Sequence, residues 1–293
     1  MSESRKLTRR QVLQGTAAAG ALGMLGSVEW IGHAWGASDK VKMGFIFVGP
    51  RDDYGYNQAH FEGKAAVAKL DWVKAFDEEK VPETIEVQKT MESMVKLDGA
   101  QVLFPTSFGY FDPHIIKVAP QFPNIQFLHC GGLYQEGKHP KNVGRYFGFI
   151  DESQYIAGIV AGGMSKSGKL GVVAAKPIPQ VLRNINNYTL GARSIRPNCT
   201  TNVIFTGDWS LPVREAEATN SLVDQGIDVI TCHVDSPKVV ITTAEKRGVY
   251  CTGYHCNQSK LAPKGYLTGA EWNWAKVYME YAEMIRKGQT VPH

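Results

Sequence analysis

Several functional signatures are missing from this 293-residue chain. There is no Cys-x-x-Cys pair, no Gly-x-Ser-x-Gly elbow, no Walker loop and no Gly-x-Gly-x-x-Gly turn after the first apolar strand. These absences speak against a redox dithiol, a hydrolase nucleophile, a nucleotide-phosphate cradle and a dinucleotide site. His255 stands beside Cys256 but lacks the further ligands of a zinc centre, so no metal and no cofactor is expected. Asp52-Asp53 is the only paired carboxylate near a strand end, a weak basis for acid–base chemistry. Charge of one sign is scarce too. The formal net charge is +4, part of it in the first 37 residues, so no basic face for nucleic acid is implied. Beyond residue 37 no apolar run reads as a membrane span.

Cysteine is sparse and odd in number: Cys130, Cys199, Cys232, Cys251 and Cys256. At least one thiol is therefore unpaired within the chain. Cys251 and Cys256 are close enough in sequence to bridge in an oxidising compartment. They can equally be a buried strand thiol and a loop thiol with no bond, and this second reading is the favoured one.

The first 37 residues stand apart from the fold. Arg5, Lys6 and the pair Arg9-Arg10 precede a segment, Gln11 to Val28, with no charge and much Ala and Gly. This resembles a twin-arginine export signal. Ala34-Trp35-Gly36 offers small residues for cleavage; the alternative is an uncleaved anchor. The expectation is export to the periplasm with cleavage. No cysteine precedes Cys130, which argues against a lipid anchor near the N-terminus.

The remainder reads as alternating strands and helices. Strands are expected at Val41–Gly49, Gly99–Phe104, Ile125–His129, Gly144–Phe149, Leu170–Ala175, Asn202–Phe205, Asp228–Cys232 and Val249–Gly253. Helices are expected at Asn57–Phe76, Glu86–Leu97, Pro113–Phe122, Glu152–Met164, Pro179–Ala192, Val213–Gln225 and Lys238–Arg247. Gly226 and Gly248 each follow a helix as C-terminal caps. The alternation implies doubly wound parallel sheets, in which ligands sit at the carboxyl ends of the strands.

The stretch SKSGKLG-VVAA-PIP followed by INNYTLGARSIRPN resembles the centre of the basic membrane protein family. These are substrate-binding proteins of ABC importers, of the purine nucleoside receptor type. The resemblance runs from about Val41 to Gly288. It implies a type I periplasmic-binding-protein-like α/β fold of two lobes, each a doubly wound parallel sheet with helices on both faces. Lobe one would take residues 38–160 and 270–293, and lobe two residues 161–269. The implied partners are a small purine-like solute and a membrane permease, with no nucleic acid. Family members usually continue with strands that complete lobe one, so this chain is expected to leave an unpaired sheet edge there.

The resemblance also selects site residues. In GPRDDYGYNQAHFEGK the matching positions are Asp53, Tyr56 and Asn57; Asp53 or Asn57 can also simply cap the following helix. In FPTSFGYFDP it selects Phe108 and the Ser107 backbone. Trp209 in GDWSLPVREAEA matches an aromatic that stacks on the ligand, and can also plug the edge of a core. Asp235 belongs to an H-x-D-S-P-like turn; it can accept from a ligand N–H or cap the next helix. Asn257 stands where the family often carries Asp. Trp272, in a segment resembling a hinge, stands near the place of a Lys that holds ribose with that Asp. The two replacements favour a free base over a nucleoside. The leading reading is a receptor with no chemistry to perform. Its rivals are a periplasmic α/β enzyme acting on nucleosides or bases, and a sensory ligand-binding module.

Overall fold

The computed structural model describes residues 40–131 and 134–289. The expected export signal, with its arginine pair and candidate cleavage site, lies outside the described residues. The chain first builds one parallel sheet: β1 (Val41–Ile46), α1 (Tyr56–Val67), β2 (Val73–Glu78), α2 (Ile85–Lys96) and β3 (Val102–Pro105). Short helical turns follow across 108–121, then β4 (Gln126–Cys130) and β5 (Val143–Tyr146). The order is β2-β1-β3-β4-β5, and every pairing is parallel. Central strands are covered on both faces, which is why β1 and β3 are nearly continuous apolar runs.

A second sheet follows. Its elements are α3 (Ile150–Met164), β6 (Lys169–Ala174), α4 (Pro179–Ile195), β7 (Thr200–Phe205), α5 (Pro212–Asp224), β8 (Val229–His233), α6 (Lys238–Lys246), β9 (Tyr250–His255) and β10 (Tyr266–Glu271). The order β10-β9-β8-β6-β7 repeats the winding of the first sheet. In both, the third strand pairs with the first on the side away from the second. Each sheet thus has a topological switch point, between β1 and β3 and between β6 and β8, where loops diverge and leave a crevice.

Each sheet carries a core layer on both faces. On one face of the first sheet, Phe45 and Phe104 pack with Trp274 and Tyr278 of α7 (Trp274–Arg286). On its other face, Leu103, Met91, Tyr110 and Phe127 form a separate cluster. The second sheet has the same arrangement. α3 lies along α4 and against β10. That approach needs glycine: a Cβ on Gly191 would meet the Tyr155 carbonyl oxygen at 1.9 Å, and one on Gly158 the Tyr188 carbonyl oxygen at 2.0 Å. The chain passes between the sheets at 147–149 and again at 272–273. These two segments touch, with the rings of Phe147 and Trp272 5.7 Å apart, edge to face.

Three sequence expectations are corrected. Asn57–Phe76 is not one helix: the helix ends at Val67, and Val73–Glu78 is an edge strand. Only Val73 in that strand is fully buried, so it lacks the apolar run of an inner strand. Residues 113–122 are interrupted turns, not a regular helix; Pro113 and Pro120 each remove a backbone donor there. Leu267–Ala270, the first part of the segment Leu267–Trp274 that resembles a hinge, lies within the fifth strand of the second sheet. It is mostly half-buried and contains Gly269, which hides its strand character. All five cysteines are free and buried, Cys251 and Cys256 among them.

Candidate functional site

The carboxyl ends of both sheets face one cleft with about 440 Å³ of empty space, part of it open to solvent. From the first sheet come Tyr56 at the start of α1, Ser107 and Phe108 after β3, Cys130 at the end of β4 and Phe147 after β5. From the second come Ile178 and Gln180 beside the start of α4, Trp209 after β7, His233 and Asp235 at and after β8, and His255 at the end of β9.

The loop after β1 is shaped by its own polar side chains. One oxygen of Asp53 accepts from the amides of Gly55 at 2.8 Å and Gln58 at 2.9 Å. The other accepts from the Asn57 amide at 3.0 Å and its Nδ2 at 2.7 Å. These are otherwise unsatisfied N–H groups at a helix start, which a carboxylate stabilises. Burial raises the Asp53 pKa, and these four donors pull against that. Asn57 Oδ1 accepts from the Gly49 amide at 3.1 Å. Both side chains are buried, and neither is among those that line the cleft.

Tyr56 projects from the helix these residues hold. Its hydroxyl donates to the Thr106 carbonyl at 2.6 Å, and its ring stands edge-on to His60 and His255. Phe108 is 41% exposed. The Ser107 hydroxyl and the Gly109 amide both donate to Glu83, which fixes this turn. Across the cleft, Trp209 is half-buried, with the Lys176 ammonium 5.3 Å from its ring centroid. Asp235 is half-buried and its carboxylate has no hydrogen-bond partner among the described residues. Burial raises its pKa well above the usual carboxylate range, and Asp53, Glu83, Asp208 and Glu215 push the same way. A ligand N–H would relieve this group.

Asn257 and Trp272 do not line the cleft. Asn257 is exposed and its Oδ1 accepts from the amide and hydroxyl of Ser259. Trp272 stacks on Trp274 with centroids 4.6 Å apart, and its Nε1 donates to His255 Nδ1 at 2.9 Å. The sequence reading therefore brings Tyr56, Phe108, Trp209 and Asp235 together, and leaves Asp53, Asn57, Asn257 and Trp272 around or away from the cleft. It passed over Cys130, Phe147, Ile178, Gln180, His233 and His255 as site residues. All six sit at or just beyond a strand's carboxyl end, or at the helix start that follows, where ligands of doubly wound sheets bind.

Four aromatic side chains, Tyr56, Phe108, Phe147 and Trp209, and two histidine rings line the cleft, with Ser107, Gln180 and Asp235 as polar groups among them. Such a site binds a flat, partly polar molecule by stacking and edge hydrogen bonds. Among the described residues no three His, Cys, Asp or Glu side chains gather to hold a metal ion. No helix there is long and apolar enough to cross a membrane.

Comparison with known proteins gives the same architecture. The family model for PnrA-like ABC transporter substrate-binding proteins, Bmp, matches residues 40–293. A purine-binding protein of Brucella abortus (strain 2308) is 34% identical over 260 residues, which is 88% of this chain and 72% of that one. A Haloferax volcanii protein named as an ABC transporter glucose-binding protein is 34% identical over 251 residues, 85% of this chain. The match spans only 62% of that relative's length. Among solved structures, an ABC transporter solute-binding protein from Aeropyrum pernix K1 superposes with a TM-score of 0.72 at 20% identity, covering 85% of this chain and 71% of that one. A solute-binding protein from Conexibacter woesei gives 0.68 at 22% identity, with 85% and 81% covered. The superpositions show the type I two-lobe fold.

Proposed function

The chain belongs to the PnrA-like family of ABC transporter substrate-binding proteins, and from that premise we propose that it captures a purine base in the cleft between its sheets. The observation that carries this is the meeting of Tyr56 and Phe108 from one sheet with Trp209 and Asp235 from the other. Aromatic walls favour a planar solute, and an unpartnered carboxylate favours one with N–H donors. The purine-binding relative supports the same ligand class.

In this reading each sheet is the frame of one lobe, and the crossings at 147–149 and 272–273 are the hinge. Tyr56, Phe108, Trp209 and Asp235 touch the solute. Asp53 and Asn57 hold the loop that carries Tyr56. Asn257 and Trp272 supply no charged clamp for ribose. Hinge closure is what an ABC permease would read. Export through the twin-arginine-type leader would put the receptor in the periplasm. The family is one of solute-binding proteins, and binding without turnover is expected.

Mass spectrometry of solute released by denaturing the purified protein tests the ligand class directly. Calorimetric titration should then show adenine binding more tightly than adenosine. Burying ribose hydroxyls without partners costs about 1–3 kcal/mol for each group. Tighter binding of the nucleoside would mean that other residues hold the sugar. Release of a sugar, with no purine binding, would sink the purine reading.

A further inference from the structure

Resting on the purine reading of the cleft, we infer that His255 reads the ring edge of the solute as a fixed Nε2–H donor, and that Trp272 is a positioning residue that locks it in this tautomer. Two hydrogen bonds tie the pair. The Trp272 amide donates to the His255 carbonyl at 3.0 Å, and Trp272 Nε1–H donates to His255 Nδ1 at 2.9 Å. An indole N–H can only donate, so Nδ1 must accept. In a neutral imidazole the proton then sits on Nε2.

That nitrogen is buried and has no partner. His255 is 3% exposed, lines the cleft, and its Nε2 meets no acceptor in hydrogen-bond geometry. Burial holds the ring neutral, with its pKa well below the usual imidazole range; His233 and His60 add to this, and the nearby Val234 backbone, which opposes it, is too poorly aligned to complete a hydrogen bond at Nε2. A buried donor without an acceptor is destabilising unless a ligand completes it. The backbone is also unusual. His255 has φ of +76°, a conformation rare for residues with a side chain, and such outliers cluster at ligand sites.

The chemistry follows from the tautomer. A donor N–H between aromatic walls selects an in-plane acceptor, the unprotonated ring nitrogen of a heterocycle. It offers nothing to a hydroxyl or amine that needs to donate. Trp272 never touches the solute in this scheme. It links recognition to the hinge instead, because its ring lies against Phe147 and Gly148 where the chain crosses between the sheets.

Nitrogen-15 NMR of the histidine-labelled, solute-free protein reads the tautomer directly. The Nε2–H form is expected for His255, and Trp272→Phe should release it to a mixture. An Nδ1–H ring in the parent, or a tautomer unmoved by Trp272→Phe, overturns the positioning role. Titration with adenine and its 1-deaza, 3-deaza and 7-deaza analogues reads the donor. In the parent one analogue should bind tenfold or more weakly, since a site built to hydrogen-bond a ring atom rejects the analogue lacking it. In His255→Leu that preference should vanish, and His255→Gln, which keeps an N–H, should restore part of it. Equal binding of all four in the parent, or a preference that survives in His255→Leu, overturns the donor role. If the parent binds no adenine, the purine reading fails. The NMR result then still stands for or against the locked donor.

Discussion

The amide of Tyr56 donates to the carbonyl of Asp235 at 2.8 Å, joining the helix start after β1 to the turn after β8 across the cleft. Two neighbouring bonds reinforce it. The Ser236 hydroxyl donates to the Asp53 carbonyl at 2.8 Å, and Gln258 Nε2 donates to the Tyr54 carbonyl at 2.7 Å. The residue that lets the backbones meet is Gly55, where a Cβ would lie 1.9 Å from the Asp235 carbonyl oxygen.

Gly55→Ala should therefore prop the cleft open. The obstacle to a side chain at Gly55 is contact across the cleft, with the Asp235 carbonyl oxygen 1.9 Å and the Pro237 ring 2.4 Å from the added Cβ. A larger radius of gyration by solution scattering is expected, with solute affinity down by about tenfold, or roughly 1.4 kcal/mol. Unchanged scattering and affinity would show that these loops do not form a closure contact.

Trp209→Ala should weaken a planar solute by about 1–3 kcal/mol, the range for losing base–aromatic stacking. Tryptophan fluorescence of the parent should respond to the same solute. Trp209 also packs against the cores of the second sheet, so a melting curve must accompany the titration. A folded variant with parental affinity would give Trp209 a packing role only.

Acid should destabilise the protein through its buried histidines. Burial lowers the pKa of His129 to about 4 and that of His233 to about 3, from an ordinary 6.5. Both are neutral in the native state, whereas the unfolded chain takes up protons near pH 6.5. Their stabilisation is complete above about pH 6.5 and is lost as pH falls toward the folded values, at about 1.4 kcal/mol per pH unit for each ring. Asp53 and Asp235, with raised values, act in the opposite direction. Comparison with His129→Gln isolates one term: the parent should lose about 2 kcal/mol more than the variant between pH 7 and 5. Parallel denaturation curves at the two pH values would refute this assignment.

Replacing Arg9 and Arg10 together by Lys should abolish periplasmic accumulation if the leader is a twin-arginine signal. Cell fractionation followed by immunoblotting measures it. An unchanged periplasmic yield would point to a different export route.

Composition and pattern alone determined the two wound sheets. Inner parallel strands must be apolar on both faces, so Val41–Ile46, Leu170–Ala174 and Val229–Cys232 stand out as short apolar runs between turn signals. The edge strands Val73–Glu78 and Tyr266–Glu271 escaped because an edge is half-covered and needs no such run. Tyr56, Phe108, Trp209 and Asp235 were reachable because the family resemblance selects them, and each lies in or beside a loop that follows a strand's carboxyl end. Whether Asp53 and Asn57 face the cleft or the helix was not reachable, since a carboxylate near a helix start can serve either purpose and only the direction of the amides decides. His255 depended most on the tertiary structure. Its partner Trp272 lies 17 residues away, and the two meet because the parallel register of β9 and β10 sets His255 opposite Glu271. Spacing in sequence carries no trace of that pairing, and the pairing alone determines which nitrogen carries the proton.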